Sequence, residues 1–163
     1  MDIAIIGGGA MGSIYAALLG SAGHAVTVVD RNAEQVAAIN RSGLRLEGPL
    51  GDRIVRLTAV RESPAAVQDL VVLAVKAADV GAAATLARPM LGDRTVVLAI
   101  QNGLGSAEVA AGAVRADRLA VGIASGFGAS IKAPGHAHHN AMQAIRMGAH
   151  AGLDHEALTR VAD

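Results

Sequence analysis

Gly7-Gly8-Gly9-Ala10-Met11-Gly12 is the stretch that decides how this chain of 163 residues folds. It follows a short apolar run, Ile3–Ile6, and opens a segment of helical character that ends near Gly23. An acidic residue, Asp30, lies 23 positions after the first glycine, at the end of a second apolar run. A buried strand, a glycine turn, a helix and an acid in this order are typical of a dinucleotide-binding loop.

The glycines of this stretch have separate predicted roles. Gly7 permits the tight turn, and Gly9 lets the backbone approach a pyrophosphate without a Cβ in the way. Gly12 allows the helix to pack closely on the strand. Free N–H groups and the positive end of the helix dipole are then expected to hold the phosphates, which makes the predicted phosphate site Gly7, Gly8, Gly9, Ala10, Met11 and Gly12. A glycine turn that binds no ligand is the alternative.

The rest of the chain alternates between apolar strands and helices, as in a doubly wound, mostly parallel sheet. Further strands are predicted at Ala25–Val29, Leu70–Val75, Thr95–Ile100 and Leu119–Ile123. Helices are predicted at Ala10–Ala22, Ala33–Asn40, Asp79–Leu91, Ser106–Val114 and Asp154–Asp163, with a short one opening at Ser63-Pro64. Leu44–Leu57 is expected to form an antiparallel hairpin, and His136–Gly148 one or two edge strands. The sequence therefore predicts an α/β, Rossmann-type fold with a C-terminal antiparallel ribbon, one domain over residues 1–163.

Composition excludes several classes of protein. The formal net charge is zero and there is no basic run, which argues against a nucleic-acid partner. There is no cysteine, so disulfides and thiolate chemistry are excluded. The N-terminus has no signal-peptide pattern, and no stretch approaches the roughly 20 apolar residues that span a bilayer. We expect a soluble, cytoplasmic protein with no membrane partner.

Asp30-Arg31 bears on the choice of cofactor. An acid at the end of the second strand hydrogen-bonds the ribose 2′-OH and favours NAD, whereas an arginine accommodates the 2′-phosphate and favours NADP. Both residues are present, and alternation along the chain sends their side chains in different directions. Spacing alone leaves NAD and NADP open.

Three further segments, taken with the glycine loop, resemble the ketopantoate reductase (2-dehydropantoate 2-reductase) family. They are LVVLAVKAADV (Leu70–Val80), VVLAIQNGLG (Val96–Gly105) and GASIKAPGHAHHNAMQAIRMG (Gly128–Gly148). The first matches the family's strand ending in Val-Lys, the second its Gln/His-Asn-Gly turn, and the third its Pro-Gly…His ribbon. The resemblance runs nearly from end to end.

The resemblance implies an oxidoreductase that reduces 2-dehydropantoate to (R)-pantoate with NADPH, towards pantothenate and coenzyme A. Another small 2-keto acid is also open as substrate. Arg31 falls where the family keeps its 2′-phosphate arginine, which favours NADP, while Asp30 departs from the neutral residue commoner there and keeps NAD possible. Ala129, in the third segment, is assigned to the cofactor site by the same resemblance.

Lys76 and Asn102 are the candidate catalytic residues, and they are also assigned to the cofactor site. Each follows a parallel strand at its carboxyl end, where ligands bind in open α/β sheets. Asn102 is expected to hydrogen-bond the nicotinamide ribose or the substrate. Lys76 is expected to supply positive charge as the carbonyl oxygen becomes an alkoxide. The alternatives are a solvated lysine after a strand and a turn-forming asparagine before Gly103.

Three histidines, His136, His138 and His139, raise the question of a metal site. His136 and His138 share a strand face, but no cysteine is available and no acidic residue lies in their immediate neighbourhood. His139 coincides with a histidine of the family's ribbon that is not a metal ligand. No metal is therefore predicted.

The resemblance also implies a second, helical domain that supplies the general-acid lysine and the groups that hold the substrate. That domain is expected to be absent from this chain, since Lys132, the only lysine besides Lys76, does not match its motif. We therefore expect a chain that binds NADP(H) and turns over little or no ketopantoate. An apolar face near its C-terminus is expected to favour a homodimer or aggregation. A non-catalytic module that binds NAD(P) is the alternative.

Overall fold

The computed structural model describes residues 1–141 and 144–162 of the chain. The predicted ribbon includes Met142 and Gln143, and the predicted last helix includes Asp163, which lie outside the described residues. The strands are β1 (Asp2–Ile6), β2 (Ala25–Val29), β3 (Leu44–Gly48), β4 (Gly51–Val55), β5 (Thr58–Val60), β6 (Leu70–Leu73), β7 (Val96–Ala99), β8 (Leu119–Ser125), β9 (Gly128–Ala133), β10 (His136–Ala141) and β11 (Ala144–Ala149). The α-helices are α1 (Ala10–Ser21), α2 (Ala33–Ser42), α3 (Val80–Ala87), α4 (Ser106–Ala113) and α5 (His155–Ala162).

The main sheet has seven strands in the order β11-β8-β7-β6-β1-β2-β5. All neighbours are parallel except β11, which pairs antiparallel with β8 at the edge. From β1 the chain first builds outward through β2 and β5, then returns to β6 on the other side of β1. A crevice is expected at such a reversal, at the carboxyl ends of the strands. The predicted α/β, Rossmann-type fold is confirmed.

The central strands are buried on both faces, which explains why they read as continuous apolar runs. Along β1, Ile3 and Ile5 pack into one apolar cluster with α1, whereas Ala4 and Ile6 pack into a second cluster with α3. Neighbouring strands divide their side chains between the same two clusters. The sheet therefore lies between two layers of helix. None of the helices in the described residues is long and apolar enough to cross a membrane.

A second sheet of four strands, in the order β4-β3-β10-β9, packs against α1. The predicted hairpin is confirmed, with β3 and β4 joined through Gly48–Gly51. The prediction of edge strands in the ribbon holds for β11 but is wrong for β10, which pairs parallel with β3 and antiparallel with β9. Local alternation of side chains does not reveal a partner strand that lies far away in the sequence.

One other prediction is wrong, and one strand of the main sheet was not predicted. The prediction of a short helix at Ser63-Pro64 is wrong, because residues 61–69 form an irregular segment with bends and no helix. Only five residues separate Pro64 from β6, too few to offset the cost of nucleating a helix. Strand β5 was not predicted, since its three residues carry almost no periodic signal; it extends the parallel sheet beyond β2.

The glycine loop brings α1 unusually close to β1. Gly7 has φ +102°, a conformation that favours glycine, and its N–H donates to Val29 O at 2.8 Å. A Cβ built on Gly12 would lie 1.8 Å from the carbonyl oxygen of Gly7. The predicted turn at Gly7 and close packing at Gly12 are therefore both present.

Gly12→Ala tests this packing. We expect it to lower the free energy of unfolding by at least about 2 kcal/mol, because α1 has to move away from β1 to admit a methyl group. Gly112→Ala in α4 is the matched control, since its Cβ would meet nothing within 4 Å. It should raise stability by about 0.5 to 1 kcal/mol. Chemical denaturation of both variants measures the difference, and equal stabilities would contradict the packing argument.

Candidate dinucleotide-binding site

Two cavities lie along the carboxyl edge of the main sheet. The first, of about 480 Å³, is lined by the glycine loop, by the residues that follow β2, β5 and β6, and by α3. The second, of about 220 Å³, lies between the ends of β6, β7 and β8. Both are lined by Ala74, Val75 and Lys76, so the two cavities adjoin, and together they are called the cleft below.

The predicted phosphate residues divide between the surface of this cleft and its support. Gly7 and Gly9 line the first cavity, and Met11 lines the second. Gly9 is exposed, and a Cβ there would meet nothing within 4 Å, so the backbone is open to an approaching ligand. Gly8 and Gly12 are buried beneath the loop, and Ala10 begins α1.

Asp30 is tied to the glycine loop. Its Oδ2 accepts from the Gly8 N–H at 2.5 Å, and its Oδ1 accepts from the Asn32 N–H at 2.7 Å. Arg31 has a different partner, as the alternation predicts: its Nη2 lies 3.9 Å from Asp79 Oδ2, and its side chain is 89% exposed. An ion pair this long and exposed holds the guanidinium only weakly, so Arg31 remains able to turn towards a ligand.

Arg61 is a cleft residue that the sequence analysis missed. Val60 pairs with Val29, and the Asp30 N–H donates to Val60 O at 3.0 Å. Arg61 therefore follows the strand next to Asp30-Arg31 and lines the same cavity. The only available signal was a basic residue directly after the short run Thr58–Val60, and that run was not recognised as a strand.

Lys76 and Asn102 come together as their strands predict. Lys76 is exposed and lines both cavities, and Asn102 lines the second. Gln101, the residue before Asn102, donates from its Nε2 to Leu73 O at 2.6 Å and to Val75 O at 3.0 Å. This side chain joins the ends of β6 and β7 and so fixes the backbone that carries Lys76.

Phe127 is a second residue that the sequence did not reveal. It lines the second cavity, in the loop between β8 and β9. Its ring stacks on the Tyr15 ring, with 5.9 Å between the ring centroids and 11° between the planes. The centroid of the His139 ring lies 5.1 Å from that of Phe127. Burial raises the pKa of Tyr15 to about 12. The only two aromatic residues of the chain thus support one wall of the cleft together.

Ala129 lies elsewhere. It pairs with His139 in the second sheet, packs against the core, and lines neither cavity. Its assignment to the cofactor site stays a prediction.

His136 and His138 contact an acidic residue that the sequence analysis did not find near them. His136 Nε2 and His138 Nδ1 each lie 3.0 Å from Glu47, on β3, because β10 pairs with that strand. The pKa of Glu47 is held below its usual value, and the largest cause is the hydrogen bond with His138. Across residues 1–141 and 144–162, no group of three or more His, Asp or Glu side chains is arranged to hold a metal ion.

The fold and the cleft together define a class of protein. A glycine-rich loop lies where the strand order of a Rossmann-type sheet reverses, and polar residues from four parallel strands meet at the same edge. The sequence profile of the family "Ketopantoate reductase PanE/ApbA" matches residues 3–152. The chain belongs to this family.

Individual relatives agree with this assignment. A 2-dehydropantoate 2-reductase of Halobacterium salinarum is 33% identical over 165 residues, covering 99% of this chain and 54% of that protein. The 2-dehydropantoate 2-reductase of Pyrococcus abyssi is 36% identical over 135 residues, 83% of this chain and 43% of that protein. The chain therefore spans about half the length of the relatives it matches.

Solved structures show the same fold. The crystal structure of 2-dehydropantoate 2-reductase from Geobacter metallireducens has a TM-score of 0.90 at 30% identity, with 99% of this chain and 54% of that chain covered. D-mandelate dehydrogenase in a ternary structure with NADH and anilino(oxo)acetate has a TM-score of 0.91 at 25% identity, with 99% and 53% covered.

Proposed function

We propose that this chain binds NADP(H) along the cleft and forms the nucleotide-binding part of an enzyme that reduces a small 2-keto acid, in first place 2-dehydropantoate. The observation that carries the proposal is the set of groups that line the two adjoining cavities. The glycine loop, Arg31 and Arg61 line the first cavity, Asn102 lines the second, and Lys76 lines both. Family membership and the names of the relatives support the reaction class.

The residues present suit a dinucleotide. Open backbone at Gly9 and the N-terminus of the 12-residue helix α1 favour the two negative charges of a pyrophosphate. In the first cavity, Val29, Ala83 and Leu86 offer an apolar wall for an adenine ring.

Arg31 and Arg61 support NADP over NAD. Arg31 comes just after the end of β2, Arg61 directly follows β5, and both line the first cavity. Planar guanidinium groups match phosphate oxygens well. Asp30 would repel a 2′-phosphate if its carboxylate pointed freely into the cavity. Instead it accepts hydrogen bonds from the Gly8 and Asn32 N–H groups, which offset its charge.

In the second cavity, a bound reduced nicotinamide would supply a hydride to the keto carbon. The ammonium group of Lys76 would then stabilise the negative charge that develops on the carbonyl oxygen, and the Asn102 amide would orient the ribose or the substrate. Among the described residues that line the second cavity, Lys76 is the only charged one. A 2-keto acid also carries a carboxylate, so one ammonium group would have to serve both that carboxylate and the reacting oxygen.

We propose on this ground that residues 1–163 are the nucleotide-binding part alone, and that efficient reduction needs further polar groups. The resemblance to the family assigns such groups to a second, helical domain.

The cofactor prediction is tested by titrating NADPH and NADH separately, using calorimetry or nucleotide fluorescence. NADPH should bind more tightly than NADH. Arg31→Ala or Arg61→Ala should each lower the affinity for NADPH by roughly tenfold, since each removes a charge-assisted contact to phosphate. NADH affinity should not change in either variant. Arg41→Ala, at the far end of α2, is the control for loss of an exposed arginine. Tighter binding of NADH, with both cleft variants unaffected, would show that Asp30 selects NAD instead.

The division of labour is tested by NADPH oxidation with ketopantoate. The chain alone should oxidise NADPH no faster with ketopantoate than without it, because the second cavity offers a single cationic group. Any residual rate should fall in Lys76→Met and persist in Lys132→Met, which removes the other lysine. Robust ketopantoate-dependent oxidation by the 163-residue chain would contradict the proposal that it is the nucleotide-binding part alone. NADP(H) binding without reduction in any context would favour a non-catalytic module.

A further inference from the structure

Gln35 is a buried polar residue of α2 that lies beneath the glycine loop, with 5% of its surface exposed. We infer that Gln35 is a positioning residue for the pyrophosphate: it sets the orientation of the peptide group between Gly8 and Gly9, and it ties that peptide to the second sheet. The inference rests on the proposed function, since it assumes that the loop binds a dinucleotide.

The side-chain amide of Gln35 contacts three separate parts of the chain. Its Nε2 donates to Gly8 O at 2.8 Å and to Ser13 Oγ at 3.2 Å. Ser13 Oγ in turn donates to Gly8 O at 3.0 Å. The Gln35 Oε1 accepts from the Gly135 N–H at 2.8 Å. Donor and acceptor ends are both used, so neither a carboxylate nor a hydrocarbon of the same length replaces this side chain.

The contact with Gly8 O has a consequence for the next residue. No peptide bond among the described residues is cis, and in a trans peptide the C=O and N–H point in opposite directions. Two donors hold the Gly8 carbonyl beneath the loop, so the Gly9 N–H is directed the other way, towards the cleft that Gly9 lines. Gln35 thereby keeps one N–H donor aimed at the place of the pyrophosphate without touching the ligand.

The contact with Gly135 links the loop to the second sheet. Gly135 lies in the turn between β9 and β10 with φ +72°, and its carbonyl accepts from the Arg45 N–H at 2.8 Å. A Cβ at Gly135 would lie 3.1 Å from Ala38 Cβ, so the turn fits closely against α2. The second sheet lies outside the first cavity, yet through Gln35 it supports the phosphate loop.

Gln68 provides a matched control because it is the same residue type in a similar setting away from the cleft. It is 8% exposed, and its Nε2 donates to Ala66 O at 3.0 Å, just before β6 at the opposite edge of the sheet. Replacing either glutamine with methionine removes the amide and keeps the length. Both variants should lose stability, but only Gln35→Met should lose affinity for a dinucleotide.

The experiment measures dissociation constants of two probes for the full chain and its variants. NADPH contains the pyrophosphate, whereas adenosine 2′-monophosphate carries the 2′-phosphate and lacks the pyrophosphate. Gln35→Met should raise the dissociation constant of NADPH by roughly tenfold. It should leave the dissociation constant of adenosine 2′-monophosphate within about twofold of that of the parent chain. Gln68→Met should change neither affinity. Gln35→Glu, which keeps an acceptor for Gly135 but lacks a donor for Gly8, should follow Gln35→Met and serves if that variant does not fold.

Each outcome decides between the two proposals. Loss of NADPH affinity alone, in a folded Gln35 variant, supports the positioning role. Unchanged NADPH affinity, or equal loss of both probes, overturns it and leaves the proposed function standing. If neither Gln35 variant folds while Gln68→Met does, Gln35 supports the fold itself and the positioning role is overturned. A parent chain that binds neither probe overturns the proposed function and this inference with it.

Discussion

The contact between Gly12 and the carbonyl of Gly7 is the constraint on which the rest of the site depends. Because Gly12 carries no side chain, α1 begins directly against the end of β1, where a Cβ would lie 1.8 Å from the Gly7 oxygen. The start of α1 is thereby fixed near the carboxyl ends of β2 and β6, the two strands that flank β1. The Gly8 N–H donates to Asp30 and the Gly8 carbonyl accepts from Gln35, so the loop is restrained from both sides. A loop restrained in advance loses less conformational entropy when it binds a ligand.

Rigid and mobile groups are distributed unequally along the cleft. The proposed pyrophosphate site consists of backbone held by buried side chains, among them Ser13 and Gln35. The cationic groups of the cleft, by contrast, are long and exposed: they are Arg31, Arg61 and Lys76. Exposed charges of this kind contribute modestly to stability and are free to move onto a ligand. On this account the backbone would supply general affinity for a dinucleotide, and the arginines would choose between its phosphorylated and unphosphorylated forms.

Local patterns in the sequence were sufficient to predict the five central parallel strands of the main sheet, the glycine turn and the meeting of Lys76 with Asn102. Each of these depends on an apolar run followed at once by a distinctive residue, and parallel strands place all such residues at one edge. Features that depend on distant pairing were not predicted. Arg61 reaches the cleft because a three-residue strand adds to β2, and Glu47 meets His138 because β10 pairs with β3 across 91 residues. The contacts of Gln35 join α2 to a turn 100 residues later, and no periodicity in the sequence indicates them.

The central claim is that the backbone of the glycine loop receives the phosphates of a nicotinamide dinucleotide. Amide ¹H–¹⁵N NMR spectra of the chain, recorded during titration with NADPH, test it most directly. Saturable shifts that are largest at the N–H groups of Gly9, Ala10 and Met11 are the predicted result. Saturable binding that leaves these three amides unmoved, with the largest shifts at the opposite edge of the sheet, would contradict the account.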